Sequence, residues 1–183
     1  LYLEHQSAGR DRQARSSYHH FLVRHGLKPD GPGGVFSREF AVQRPLALTK
    51  ASFLANEASQ FILKNRAEPW MLYVNFLEPH PPYFGPLNEI YCESDAPLPA
   101  NYPGLGVDRE PEYYGKLRRS RRSVIEGKIL WETTAEPARL RPGSEERYRA
   151  ALQRLNRNYA GNCSLVDHAV GRILWALETS GQA

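Results

Sequence analysis

The sequence lacks the local motifs that identify several common classes of protein. It has two cysteines, Cys92 and Cys163, with neither C-x-x-C nor metal-ligand spacing, and we expect two ordinary semi-buried thiols. No apolar run approaches the roughly 20 residues of a transmembrane helix, and no signal peptide opens the chain. There is no G-x-S-x-G, no phosphate-binding glycine loop, no H-E-x-x-H and no carboxylate cluster with metal-site spacing. No nucleophile or metal site is therefore recognisable from local sequence.

The composition is that of one globular domain. The chain has 183 residues, of which 41% are hydrophobic and 24% charged, so a sizeable core is possible. The net charge of +4 is mildly basic, which fits an anionic substrate or a nucleic-acid surface and proves neither. Because residue 1 is Leu and Met71 is the single methionine, we expect an internal piece of a longer chain.

Periodicity in the first third of the chain predicts two helices. Apolar residues at helical spacing favour a short helix near 11–25, and Gly26 suits its C-cap. A Pro/Gly-rich loop follows over 29–47. Thr49 can cap a second helix at about 50–65, which carries one apolar stripe.

The last third is predicted to be one long helix. A variable loop region over 84–143 precedes it, and Ser144 can cap its first turn. The apolar steps average about 3.6 residues over 144–179, with Gly161 as a candidate kink and Gly181 as the stop.

The run Trp70-Met-Leu-Tyr-Val-Asn-Phe76 predicts a strand buried on both faces of a parallel sheet, because it is apolar without clean alternation. His80 follows four residues later, in the site loop 77–86, and ligands bind beyond the carboxyl ends of such strands. Neighbouring prolines restrict its backbone, and Glu78 either orients the ring or faces solvent. His80 is a candidate hydrogen-bond or proton donor, although a surface turn with an incidental histidine fits the local sequence as well.

The remaining histidines carry less signal. We expect His19, His20, His25 and His168 to be structural or solvent-facing, since none has a partner at a suitable helical spacing. Asp167 is expected to be a buried acid that is paired structurally, and Gly171 to allow another backbone to approach closely.

A dense basic run lies at Lys116-Leu-Arg-Arg-Ser-Arg-Arg122, just after two tyrosines. Interleaved basic and aromatic residues can bind single-stranded nucleic acid, but one short run without a nucleic-acid fold favours a solvated charged loop. An anionic polysaccharide is a third partner that this run could bind.

Three ordered segments together carry a family resemblance. Residues 53–62 (FLANEASQFI) form the helix before the strand, residues 71–83 (MLYVNFLEPHPPY) the strand with a P-H-x-P segment, and residues 159–174 (YAGNCSLVDHAVGRIL) the long helix. Their order and spacing resemble the sulfatase family, in the alkaline-phosphatase-like superfamily. The resemblance covers residues 45–180.

The resemblance implies an α/β fold, here a partial α/β sandwich of the alkaline-phosphatase-like type with one central strand flanked by helices. It implies a full-length enzyme that hydrolyses sulfate esters through a formylglycine with calcium, in an extracytoplasmic location. The partner would be a sulfated small molecule or sulfated carbohydrate, and no nucleic acid is expected. The family's P-H-x-P histidine contacts the sulfate and assists the leaving oxygen, a catalytic and substrate-binding role that passes to His80.

The sequence also departs from the family pattern. The nucleophile motif C-x-P-S-R fits neither Cys92, followed by Glu-Ser-Asp, nor Cys163, followed by Ser-Leu-Val. The G-K-W-H and Asp-His-Gly segments are missing, and with them the acids that hold calcium. We therefore expect residues 1–183 to be an internal part of a sulfatase catalytic domain, without metal ligands, inactive and aggregation-prone by itself.

Three other interpretations remain open from the sequence. One is a phosphodiester or phosphonate monoester hydrolase of the same superfamily, which shares the sheet and differs at the nucleophile and metal site. A second is a non-catalytic binder of anionic polymers through residues 116–122, and a third is a degenerate sulfatase-like protein.

Overall fold

Three α-helices make up most of the structure. The computed structural model describes residues 14–37, 44–65, 68–81, 83–98, 100, 112 and 145–182, and the basic run 116–122 lies outside them. The helices are α1 (Ser17–Arg24), α2 (Lys50–Lys64) and α3 (Glu145–Ser180), with short 3-10 turns at Leu46–Leu48 and Glu93–Asp95.

Helix α1 is shorter than the sequence predicts. Residues 14–16 are not helical, because Ser16 has extended backbone and its hydroxyl accepts the His19 N–H at 3.2 Å as an N-cap. Residues 14–16, which the prediction placed in the helix, therefore precede it. Residues 11–13 lie outside the described part of the chain. Gly26 follows the C-cap residue with φ +80°, the left-handed conformation that ends many helices.

Helix α2 matches its prediction closely. The Thr49 hydroxyl accepts the Ser52 N–H at 3.2 Å and donates to the Leu46 carbonyl at 2.8 Å, so it fixes both the turn and the start of the helix. The predicted loop over 29–47 contains a little structure, since Gly31 and Val35 form an isolated antiparallel bridge.

An aromatic cluster joins α1 to α2. It consists of Tyr18, Leu22, Phe36 and Phe53, all buried, with the Tyr18 and Phe53 ring centres 5.4 Å apart. Arg44 is buried beside it and donates to the Tyr18 hydroxyl at 2.6 Å. The cluster therefore packs its apolar surface and pairs a buried charged side chain locally.

Helices α2 and α3 pack directly against each other through small side chains. Ala51 and Ala55 of α2 meet Leu165 and Ala169 of α3 in one buried cluster, and alanines allow two helices to approach closely. Helix α3 runs unbroken through Gly161, and Gly181 follows its last residue with φ +73°, which confirms the predicted stop.

The predicted strand behaves differently from the helices. Side chains of the apolar segment (residues 70–77) alternate in exposure: Met71 is 92% and Tyr73 83% exposed, whereas Leu72 and Val74 are half-buried. A period of two is that of an extended chain, but the described residues contain no paired strand. The expectation of burial on both faces is therefore wrong in this structure, because only the helix-facing side is covered.

The covered side of the apolar segment faces both long helices. Phe76 packs on the α2–α3 cluster, and Leu72 and Val74 line an open cavity of about 460 Å³ together with Ala58 and Phe61 of α2. The described residues therefore do not form the expected α/β sandwich.

The start of the apolar segment is fixed to both helices. The Trp70 indole N–H donates to the Gln182 side chain at 2.8 Å, and Gln182 donates to the Ile62 carbonyl at 3.0 Å. Trp70 also packs edge-on against Phe61, with ring centres 5.6 Å apart.

Among the described helices, none is both long enough and apolar enough to cross a membrane.

Candidate active site

His80 lies exposed in a tight turn at the end of the apolar segment. Its backbone N–H donates to the Leu77 carbonyl at 3.0 Å, and a cis peptide bond joins Glu78 to Pro79. The imidazole Nδ1 lies 2.8 Å from the Pro81 carbonyl oxygen. Because a carbonyl can only accept, Nδ1 carries the hydrogen in this bond, which leaves Nε2 as the nitrogen that can meet a ligand.

Glu78 does not orient the His80 ring. The ring's hydrogen bond goes to Pro81, and Glu78 Oε2 is buried with no hydrogen-bond partner among the described residues. A buried carboxylate oxygen is costly to leave unpaired, so Glu78 is a second polar group close to the turn whose role the sequence did not reveal.

The loop after His80 is fixed to helix α3. Leu87 is partly buried against the α2–α3 cluster, and Tyr83 packs edge-on against Tyr159 with ring centres 5.8 Å apart. The Tyr91 hydroxyl lies 2.7 Å from the Ser164 hydroxyl, within hydrogen-bond distance. These contacts extend along successive turns of α3, so this helix supports the part of the chain that carries His80.

Helix α3 approaches the backbone of that loop closely at Gly161. A Cβ at this position would lie 2.6 Å from the Leu87 carbonyl oxygen and 3.2 Å from the Asn88 Cα. Gly171, the position expected from sequence to allow close approach, has no atom within 4 Å of an added Cβ. The prediction of a close backbone approach was therefore made for the wrong glycine. The sequence feature that could have indicated Gly161 is a glycine in the middle of a predicted helix.

The two cysteines are both exposed, which corrects the expectation of semi-buried thiols. The Cys92 thiol lies 2.8 Å from the Ser94 hydroxyl and 2.9 Å from an Asp95 carboxylate oxygen, to which it donates. This hydrogen bond, with a second from the Cys92 backbone N–H, lowers the pKa of Asp95. The three side chains form a local turn that does not include His80.

The other singled-out residues have structural or solvent-facing positions. His20 and His168 are exposed, and the His25 Nδ1 lies 2.8 Å from the Phe21 carbonyl at the end of α1. His19 is buried in the aromatic cluster region, where burial, and then the charges of His20 and Arg15, lower its pKa. Asp167 is exposed, so the expectation of a buried, paired acid is wrong.

The described residues do not fit a calcium site of their own. No three His, Cys, Asp or Glu side chains come together within the described ranges in a group that could hold a metal ion. Calcium requires six to eight oxygen ligands, several of them carboxylates.

The sulfatase family model matches residues 13–183, nearly the whole chain. The chain therefore belongs to the sulfatase family, whose fold is the alkaline-phosphatase-like α/β fold and whose members are hydrolases that act on sulfate esters. This confirms the family predicted from the three ordered segments, whereas the specific roles of residues remain predictions.

Proposed function

We propose that the protein hydrolyses a sulfate ester and that His80 is the residue of this chain that contacts the sulfate group. The observation that best supports this proposal is the geometry of the turn. The imidazole is exposed, and its Nδ1–H donates to the Pro81 carbonyl at 2.8 Å. Membership of the sulfatase family supplies the reaction class. The ring is therefore oriented before substrate arrives, with Nε2 free to act.

Two roles for Nε2 follow from its chemistry. In the imidazolium form, Nε2–H donates a charge-assisted hydrogen bond to a sulfate oxygen or passes its proton to the leaving ester oxygen. In both roles the bond at Nδ1 keeps the ring in one orientation. The adjacent prolines limit backbone rotation around the turn, which lowers the entropy lost when the substrate is bound.

The nucleophile and the calcium ligands that this proposal requires lie outside the described residues. The sequence contains no C-x-P-S-R, so a formylglycine formed from Cys92 or Cys163 is not part of the proposal. We expect the 183-residue chain alone to show no turnover, and the substrate to be a sulfated small molecule or carbohydrate. An extracytoplasmic location is part of the same proposal, and fractionation of the cells that make the protein tests it.

The test uses the full-length protein with p-nitrophenyl sulfate and, in parallel, a phosphodiester. His80→Ala is expected to lower kcat for the sulfate ester about 10²- to 10³-fold, the usual cost of removing one hydrogen-bond donor from a developing negative charge. His168→Ala, which removes an exposed histidine from α3, is the matched control and should change kcat less than about twofold. Turnover of the phosphodiester alone would overturn the sulfate assignment in favour of the related hydrolase class.

The identity of the leaving group separates the two roles of His80. If Nε2–H protonates the leaving oxygen, His80→Ala should slow an alkyl sulfate far more than p-nitrophenyl sulfate, because nitrophenolate leaves without a proton. Equal losses for both esters would assign His80 to binding of the sulfate oxygens instead. No loss with either ester would remove His80 from the site.

A further inference from the structure

The contact between Gly161 and the loop after His80 is made to backbone atoms. A Cβ at residue 161 would lie 2.6 Å from the Leu87 carbonyl oxygen, closer than Cβ atoms approach other atoms in proteins, and 3.0 Å from the carbonyl carbon, which is also tight. Backbone atoms cannot rotate away as the end of a flexible side chain can. Any side chain at this position therefore forces either the loop or the helix to move.

Helix propensity also disfavours a glycine at position 161. It lies in the interior of α3, where glycine is the poorest helix former after proline. Gly171 lies ten positions further along the same helix with open space around it. The same glycine-to-alanine change is therefore accommodated at one position and blocked at the other, which gives a matched pair within one helix.

Other contacts fix the same loop on both sides of Gly161. Asn162 is buried, and its Oδ1 would lie 3.4 Å from a Cβ at Gly85, so helix and loop are close there as well. The Tyr91–Ser164 hydroxyl pair and the Arg157–Glu89 ion pair, at 2.7 and 3.3 Å, hold the loop further along. A shift at Leu87 is therefore transmitted along the loop and not absorbed by a free segment.

The loop is connected to His80 by a short stretch of chain. Tyr83, the first described residue of the loop, is three residues beyond His80 and packs on Tyr159 of α3. The imidazole is bonded to the carbonyl of its own turn at Pro81, so the direction of Nε2 depends on the turn's backbone. A displacement of the loop thus changes where Nε2 points.

We propose that Gly161 is a positioning residue for His80: by letting α3 contact the backbone at Leu87 and Asn88, it sets the position of the catalytic turn. The inference rests on the proposed function of His80. Gly161 itself touches no substrate, and its effect on the reaction passes through the loop and the imidazole.

The experiment compares Gly161→Ala with Gly171→Ala in the full-length protein. Gly161→Ala is expected to lower kcat on p-nitrophenyl sulfate about 10- to 100-fold, since a displacement of about 1 Å at a reacting group can cost 100-fold. Gly171→Ala should stay within about twofold of the parent protein. Equal effects of the two changes on kcat would overturn the proposal.

A double-mutant cycle distinguishes positioning from a general loss of structure. If Gly161 acts through His80, Gly161→Ala should have no further effect on kcat once His80 is alanine. A loss that persists undiminished in the His80→Ala background would overturn the positioning role. Tyr91→Phe, which removes one hydroxyl from the loop contact with Ser164, is the milder variant if Gly161→Ala does not fold. Tyr91→Phe should lower kcat a few-fold and lose this effect in the same background.

Imidazole NMR tests the geometry without any activity. The Hδ2 and Hε1 resonances of His80 should shift in Gly161→Ala and stay in place in Gly171→Ala. If the protein turns over no sulfate ester but these shifts occur, the proposed function fails and the positional coupling stands. If turnover occurs but the His80 resonances are the same in both variants, the positional coupling is overturned and the proposed function stands.

Discussion

The aromatic cluster and the apolar segment are both rich in apolar side chains, but the cluster is buried and the segment is partly exposed. In the cluster, Leu22 and Phe36 are fully buried by residues of α1, α2 and the loop between them. In the apolar segment, Met71 and Tyr73 are among the most exposed large side chains. The difference shows that apolar side chains are buried only where other segments of the chain pack against them.

The two regions also differ in how their backbone N–H and C=O groups are hydrogen-bonded. A helix pairs its own N–H and C=O groups, and caps such as Ser16 and Thr49 complete the ends of α1 and α2. An extended segment must pair with neighbouring strands, and none is formed in the described part of the chain. The candidate site lies at the end of this less complete region, and α3 supports it through the loop contacts around Gly161.

The largest stability effect is expected in the aromatic cluster. Leu22→Ala leaves a cavity among packed rings and should lower the free energy of unfolding by about 2–5 kcal/mol. Val23→Ala changes the next residue of the same helix, which is 44% exposed, and should cost less than about 1 kcal/mol. Chemical denaturation of both variants measures this difference, and equal losses would show that the cluster is not a packed core.

An intermediate effect is expected from the alternation in the apolar segment. In the 183-residue chain, Leu72→Ala should cost about 1–3 kcal/mol, and Met71→Ala less than about 0.5 kcal/mol, because only Leu72 faces the helices. Denaturation of the two variants provides the measurement.

The same pair tests the segment in the full-length protein. If both faces of the segment are covered there, as the apolar run predicts, Met71→Ala should become as costly as Leu72→Ala. A cost that stays small for Met71 in both proteins would mean that this face is a true surface and that the prediction of a fully buried strand is wrong.

The smallest effect is a pH dependence at the aromatic cluster. Burial lowers the pKa of His19 from 6.5, so the unfolded chain takes up a proton before the folded chain does. Stability should therefore fall as the pH drops below about 6.5 and stop falling once the folded imidazole is protonated. Groups near His19 that add to this effect are His20 and Arg15.

Unfolding measured at pH 7 and pH 5 tests this dependence. His19→Gln should reduce the difference in stability between the two pH values, whereas His20→Gln, at an exposed neighbour, should keep most of it. A difference that is unchanged in His19→Gln would assign the titration to another group.

The sequence could single out His80 as a candidate residue, but it could not reveal the contacts that support the turn. The P-H-x-P segment and the apolar run before it were enough to single out His80. The choice of Pro81 as its partner, the unpaired Glu78 oxygen and the approach at Gly161 depend on which segments meet in space. Gly171 was chosen in error because a glycine's helical position does not reveal whether another backbone lies beside it.

The sequence by itself determined that the helices form, the N-cap at Thr49, the glycines that follow α1 and α3, and the family, whereas it placed the start of α1 too early. Helical periodicity, Thr49 and Gly181 act within a few residues, so their effects can be read locally. Only the tertiary structure decided which faces are covered: Asp167 and both cysteines are exposed, and the apolar segment is covered on one side. The physical reason is that capping and helix formation use neighbouring residues, whereas burial and strand pairing require partners far away in the chain.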